Sequence, residues 1–502
     1  MQKRIIAIIL VICAVISCLS GCSSDNSDTP QTVTETTSAK QTDNSNFKLS
    51  YTQADSLDPF KAETQNNQVL ASLVFESLFD IDESYEISNN IASGYSFTDS
   101  RTLKIDINTQ LKFSDGKNIT AADAAYSVRA AIKSDAYGSA LDCISSAEEN
   151  GNSVIIRLKY ENPYVLNLLT FPISSMNDDE KGFPIGSGRY KYESTENGKT
   201  ILVANKETSF DPYITTITLV NIASSDSIDN AVNIGNISYT FRDLSEDTSK
   251  RFSCAKKAVD INNMIYIGIN GSSGITSNSQ IRRAISLAVD RSIIAESAYS
   301  GYASAAESMF NPNFKSIENI KLFSAQSDTA TAKQTVAQSG YSGDNLKLSI
   351  LVNFNDNRMA AANLIKTQLE TAGFTVTVDK QNFSNYTDRI ENGNFDIYIG
   401  EVKLGNDMSL YPFFDEDGGT SYGIDNENNE CDDLYKSFLS GEEELGKFIL
   451  SFNEEMPFIP LVYKKGMICY SKALNGDMQG YYGNFFSNIE DWNFGIDGGN
   501  NN

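Results

Sequence analysis

Between Leu346 and Val378 the chain spells out one strand–helix–strand unit, and that unit restricts the fold more than any other segment. Leu346 to Phe354 is a short, mostly apolar strand pattern. A helical face through Leu364, Ile365 and Leu369 comes next and stops at Gly373, and Phe374 to Val378 alternates with period two. Two strands joined by a crossover helix are expected to lie parallel in one sheet, with a right-handed connection. The expected class is therefore α/β. Phe395 to Ile399 is expected to add a strand. Upstream, Ile281, Ala284, Ile285, Ala288 and Val289 line one helical face, with Ser279 placed to cap it and Gly301 to end the segment after it. Further upstream, Leu103 to Ile107 and Ser153 to Tyr160 read as strands. Thr120 opens a helix with Asp123 at the position where a carboxylate completes the cap. These elements suggest an inserted α+β subdomain over about residues 66–175.

The first residues read as a targeting signal rather than as part of this fold. Lys3 and Arg4 precede an apolar run from Ile5 to Ile16, shorter than the roughly 20 residues of a spanning helix. The run ends in Leu19-Ser20-Gly21-Cys22. This string resembles the lipobox of bacterial lipoproteins, which implies cleavage before Cys22 (residues 1–21 removed) and lipid on its sulfur. Residues 22–46 are rich in Ser, Thr, Asn, Asp and Gln and are expected to form a flexible tether. The Gly- and Asn-rich tail, residues 495–502, is expected to be disordered.

Composition narrows the chemistry. A formal charge of −25 over 502 residues argues against a nucleic-acid partner, which needs basic surface. The chain contains no histidine, so Ser-His-Asp and Cys-His machinery is excluded, and direct metal ligation loses its commonest donor. Paired carboxylates of the glycosidase kind carry little weight among 65 acidic residues. Cys143, Cys254, Cys431 and Cys469 show no CxxC spacing; disulfides and isolated thiols both stay open.

Six segments in order carry a family resemblance. Ser56-Leu57-Asp58-Pro59 is similar to an opening S/T-L-D-P, and Phe75-Glu76-Ser77-Leu78 to Y-E-G-L. Leu111 to Gly116 with Thr120 to Asp123 is similar to F-x-D-G-x-x-x-T-A-x-D. Pro184 to Tyr190 is similar to P-x-G-T-G-P-Y. Ile281 to Arg291, followed by Gly301-Tyr302-Ala303, is similar to V-R-x-A-x-x-x-A-I-D-R, and Pro457 to Tyr463 to the segment returning to the first lobe. Together they resemble the extracytoplasmic solute-binding proteins of peptide and nickel ABC importers, the dipeptide/oligopeptide-binding family. The resemblance implies a two-lobed periplasmic-binding-protein-like fold (type II, cluster C). Lobe I is expected at residues 47–264 and 464–494, with the insert inside it, and lobe II at 265–463. Arg282, Arg283 and Arg291 are expected to form helix-face ion pairs.

The resemblance also implies where ligand is met. Glu63, Thr64 and Gln65 fall where family members bring side chains and backbone to the solute. In lobe II, peptide binders carry W-x-x-D-Y-x-D-P, whose first aspartate takes a peptide's amine. Here Glu401 stands at the tryptophan position, Leu404 at the amine-binding position, and Asp407 at the second aspartate. The departure at Leu404 puts peptide binding in question. Glu401 is read either as a group for a cationic or hydroxyl-rich ligand or, with Lys403, as a solvated strand end. Tyr239, Phe241 and Tyr463 are lining candidates, against a role as core aromatics. The implied function is capture of a peptide-like or other small solute and delivery to an ABC permease, without catalysis, cofactor or resident metal. The chain is expected to be monomeric and lipid-anchored on the outer face of the cytoplasmic membrane. The competing reading is a diverged surface sensor or scaffold.

Overall fold

The computed structural model describes residues 46–243, 252–317, 320–415, 418–424 and 430–495; the leader, Cys22, all but the last residue of the tether and all but the first residue of the tail lie outside them. The chain begins with β1 (Lys48–Tyr51) and α1 (Gln65–Val74), then a small hairpin of β2 (Phe79–Ile81) and β3 (Ile87–Asn89). Next come β4 (Ala92–Asp99), β5 (Thr102–Ile107), α2 (Ala121–Ile132), β6 (Ile144–Asn150) and β7 (Ser153–Leu158), which build an antiparallel sheet of order β4-β5-β7-β6. Its inward residues, among them Leu103, Ile105, Val154 and Ile156, pack with Ala124 and Val128 of α2 into a core of their own. Thr120 caps α2 with a full capping box: its side chain accepts from the Asp123 amide, and the Asp123 carboxylate accepts from the Thr120 amide.

The next strands, β8 (Tyr190–Ser194), β9 (Thr200–Ala204) and β10 (Thr216–Asn221), join β1 in a second sheet of order β1-β10-β9-β8. After β11 (Tyr239–Arg242) comes β12 (Ala255–Ile269), followed by α3 (Ser279–Ala288), β13 (Ala303–Ala305), β14 (Lys347–Asn353), α4 (Asp356–Ala372), β15 (Thr375–Gln381), β16 (Ile397–Lys403) and β17 (Phe458–Tyr470). These strands form one sheet of order β11-β17-β12-β16-β14-β15, with β13 on β17. The expected βαβ unit is present: β14 pairs parallel to β15, and α4 ends at Gly373 in the left-handed conformation that glycine adopts freely. One cap differs from expectation. Ser279 is already the first helical residue, and the extended Asn278 before it is the cap, its side chain accepting from the Gln280 amide.

The two long strands β12 and β17 join the lobes. Their ends toward Ala255 and Tyr470 contribute Val259, Ile261 and Ile468 to the core that contains β1 and β8–β10. Their opposite ends, Met264–Ile269 and Phe458–Tyr463, belong to the core around α3 and α4. The pairing shifts register between Asp260 and Met264. The fold is thus a two-lobed α/β structure with an inserted α+β layer, and its connection is an antiparallel strand pair broken by a bulge.

The motif arginines are structural, though not as expected. Arg282 does pair with Glu455 at 3.2 Å. Arg291 instead is buried among carbonyls, donating to Pro460 O at 2.8 Å, Ser286 O at 3.2 Å and Ser324 O at 3.3 Å, with Phe323 beneath it. Burial holds its pKa down to about 9. Arg283 is exposed.

Candidate ligand-binding cleft

A cleft of about 810 Å3 opens where α1, the insert, the end of β16 and the segment after β17 converge. That size suits a small solute, for which pockets run roughly 300–1,000 Å3.

The lobe I wall is α1, which presents Gln65, Gln68, Val69 and Ser72, continued by Phe75, Glu76 and Ser77. The start of α1 is fixed by Asp55. Its carboxylate accepts from the Thr64 amide at 2.9 Å, the Thr64 hydroxyl at 2.6 Å and the Glu63 amide at 3.1 Å. Burial opposes the ionised form of Asp55, but these hydrogen bonds outweigh it and hold the carboxyl below its usual range. Thr64 and the Glu63 amide are therefore occupied in shaping the loop, and only Gln65 of that trio lines the cleft. Glycines 186 and 188 lie against the end of α1: a Cβ on Gly186 would stand 2.0 Å from Val74 O, and one on Gly188 2.5 Å from Val74 C. Close backbone approach requires glycine there.

Arg189, which replaces the proline of the family pattern, ties this wall to the next. Its guanidinium donates to Phe486 O at 2.6 Å, Ser487 O at 3.2 Å, Asn484 Oδ1 at 3.2 Å and Ser72 O at 3.4 Å. Those bonds hold the segment 481–485, whose Tyr481, Tyr482, Asn484 and Phe485 line the cleft. Phe241 stacks on Phe485 at 4.0 Å and also lines it. Tyr239 sits behind: it is 1% exposed, donates to Phe485 O and packs on Trp492 at 4.9 Å. It faces a separate hollow of only about 20 Å3.

The lobe II wall is Val402 to Asn406 with Asp407, Ser409, Tyr411 and Pro412. Leu404 is buried and presents an apolar surface, and its amide donates to Asn262 O at 3.1 Å. Asn262, fully buried at the β12 bulge, links three parts of the chain. Its Oδ1 accepts from Tyr85 of the insert hairpin and from Asn311 at 3.3 Å, while its Nδ2 donates to Asn406 at 3.1 Å. Asp407 is 5% exposed; its carboxylate accepts from Asn162 Nδ2 at 2.7 Å and from the Ser409 amide at 3.2 Å. Burial pushes its pKa up to about 6. Lys403 reaches across to the Tyr482 ring, 4.9 Å from its centroid.

Glu401 is directed elsewhere. Its carboxylate meets Arg358 at 2.5 Å, Lys464 at 2.9 Å and Asn263 Nδ2 at 2.8 Å, and it is absent from the cleft lining. Burial works against its charge, yet Lys464 and Arg358 more than compensate and keep its pKa low. It is neither a solvated strand end nor placed to meet a solute in this cleft. Tyr463 is buried too, donating to Met309 O at 2.7 Å. Of the ten pocket candidates, Gln65, Phe241, Lys403, Leu404 and Asp407 come together at the cleft; Glu63, Thr64, Tyr239, Glu401 and Tyr463 do not.

The third wall is the insert, which sequence reasoning did not place at the site. Tyr137, Cys143, Tyr160 and Thr170 line it, and Tyr160 stacks on Tyr411 at 3.7 Å. The only sequence signal was the abundance of tyrosine, 24 residues, which does not assign positions. Among the described residues, no group of three or more His, Cys, Asp or Glu is disposed to hold a metal ion, and no helix is long and apolar enough to cross a membrane.

Two lobes, a strand-pair connection and a solute-sized cleft between them define a solute-binding protein. The model of bacterial extracellular solute-binding proteins, family 5, matches residues 86–421, and the chain belongs to that family. The oligopeptide-binding protein AppA of Bacillus subtilis is 23% identical over 458 residues, covering 81% of this chain and 84% of the relative. Among solved structures, the unliganded open form of the periplasmic murein tripeptide binding protein MppA superposes with a TM-score of 0.71 at 20% identity, covering 89% of this chain and 97% of that one. A nickel ABC transporter protein of Bacillus halodurans gives 0.72 at 16% identity, covering 89% and 99%.

Proposed function

We propose that this chain is the lipid-anchored receptor of an ABC importer, and that it captures a short peptide or peptide-like amine and presents it to a membrane permease. The observation that carries this reading is the lining of the cleft. Gln65 offers an amide suited to a peptide backbone, beside Gln68, Asn406 and Asn484, whose amides also bond within the protein, and tyrosines form the walls. Among the described lining residues, Glu76, Asp80 and Asp407 add negative charge to the cleft, Asp142 is already paired with Lys159 at 2.6 Å, and Lys403 is the one cation; this balance favours an amine-bearing solute over an anion. Glu76 and Asp80 share the Asn90 amide at 2.7 and 2.8 Å, and burial raises both pKa values. An amine brought near them restores their charge balance. The amine-binding role that Leu404 leaves vacant thus passes to carboxylates elsewhere in the cleft.

Lobe closure on the β12–β17 connection gives the permease a loaded form to distinguish from the empty one. Cys22 carries the anchor, the receptor acts as a monomer, and it needs no catalytic step. Native mass spectrometry of the mature chain, with a thermal-shift series of short peptides and their N-acetylated forms, tests the reading. A bound peptide mass and a stabilisation that acetylation removes are expected. Failure across the whole panel favours the second reading, a sensor or scaffold, which rests on the apolar Leu404. Membrane labelling that persists in Cys22→Ala contradicts the anchor.

A further inference from the structure

Cys254 and Cys469 stand on neighbouring strands at the lobe I end of the β12–β17 connection. Ala255 opposes Tyr470 and Lys256 opposes Cys469, so Cys254, one residue before β12, lies diagonally across from Cys469 on the same face of the sheet. Both side chains pack in the small cluster formed by Ile228, Val232, Ile237 and Met467. The neighbouring Cys469 thiol, with Lys256 nearby, holds the Cys254 thiol below its ordinary range. Cys254 is half-buried and open to a small reagent, whereas Cys469 is buried on β17 between β11 and β12. The other two cysteines contrast with this pair: Cys143 and Cys431 are both buried, and burial pushes both thiols up, Cys431 to about 12.

We propose that Cys254 and Cys469 are a redox modification site, a dithiol that low-molecular-weight disulfides convert to a cross-strand disulfide joining β12 and β17 at their lobe I end. Cys254 as thiolate attacks one sulfur of the small disulfide; an S–S bond breaks, a mixed disulfide forms and the first small thiolate leaves. That thiolate takes the proton of Cys469. The Cys469 thiolate then attacks the Cys254 sulfur and expels the second small thiolate, which picks up the proton Cys254 had released to water. Two protein thiols are oxidised and one small disulfide is reduced to two thiols. The product makes residues 255–468 a covalently closed loop. It leaves the cleft lining untouched, since neither cysteine is part of it. A closure this long restricts the unfolded chain strongly.

The test exposes the full mature chain to hydroxyethyl disulfide and maps peptides without reduction. The expected product is one linked pair, Cys254–Cys469, two hydrogens lighter than the separate peptides, with Cys143 and Cys431 alkylated only after denaturation. The oxidised chain is expected to unfold several degrees higher. Cys254→Ser, at the half-buried position, is expected to lose both the link and the rise, and Cys469→Ala to stop at a mixed disulfide on Cys254. A wild-type chain that stops at that mixed disulfide with Cys469 still alkylatable, or that links a different pair, overturns the proposal. So does a wild-type chain whose Cys254 does not react.

Discussion

Glu401 and Asp407 lie six residues apart at the same end of lobe II, yet the fold treats their charges in opposite ways. Glu401 is held by two cations, Arg358 and Lys464, the latter 1% exposed. Asp407 is also removed from water, but among the described residues it is met by an amide from Asn162 and a backbone N–H rather than by a cation. The first carboxylate is fully answered within the protein and belongs to the architecture. The second keeps unbalanced charge at the wall of a cleft, where a cationic solute can supply what the protein does not. A diverged sequence can therefore keep a solute site after its motif has changed, provided that some carboxylate in the cleft stays unpaired with a cation.

The largest expected effect comes from breaking the paired side of this comparison. Glu401→Gln leaves two cations buried together, and chemical denaturation should show a loss of about 3–5 kcal/mol. Solute affinity, read on the fraction still folded, should change little. The next effect contrasts the two carboxylates by pH. Burial pushes the Asp407 carboxyl up to about 6 from its ordinary 3.8. Its ionisation penalty is therefore present above pH 6 and relieved as pH falls toward 4. Denaturation of wild type against Asp407→Asn should show roughly 2 kcal/mol of acid-induced gain that only the wild type has. Glu401 has the reverse sign: its pKa is lowered, so its contribution is full above its ordinary 4.5 and disappears as pH falls through the folded value. A smaller effect concerns the insert's contact with lobe II. A double-mutant cycle on Tyr160→Ala and Tyr411→Ala should give a coupling of about 1 kcal/mol for their stack. Smallest is Lys403→Met, which removes the contact with the Tyr482 ring and should shift stability by about 0.5 kcal/mol.

The sequence made the local features legible. The alternation in Phe374 to Val378, the cap at Thr120 and the stop at Gly373 depend on residues within a few positions of one another, and each appears where expected. Positions that depend on distant partners were not legible. Glu401 looked unpaired because its cations come from positions 358 and 464. Arg291 looked like an ion-pair former because no pattern announces that three carbonyls converge on it. The insert's part in the cleft was hidden for the same reason, since Tyr160 and Tyr411 meet only once the two lobes are assembled. Asn262 is the extreme case: an asparagine in a strand carries no signal, yet its side chain joins the insert, the bulge and the lobe II loop.

The central claim is that a solute binds in this cleft, and filling it is the most direct test. Ser72 is half-buried on the cleft face of α1, so Ser72→Trp occupies the space without entering a hydrophobic core. Isothermal titration of a peptide that stabilises the wild type should give saturable heat with the wild type and none with Ser72→Trp, while circular dichroism shows the same folded signal for both. Undiminished binding by the folded Ser72→Trp chain would contradict the assignment of this cleft.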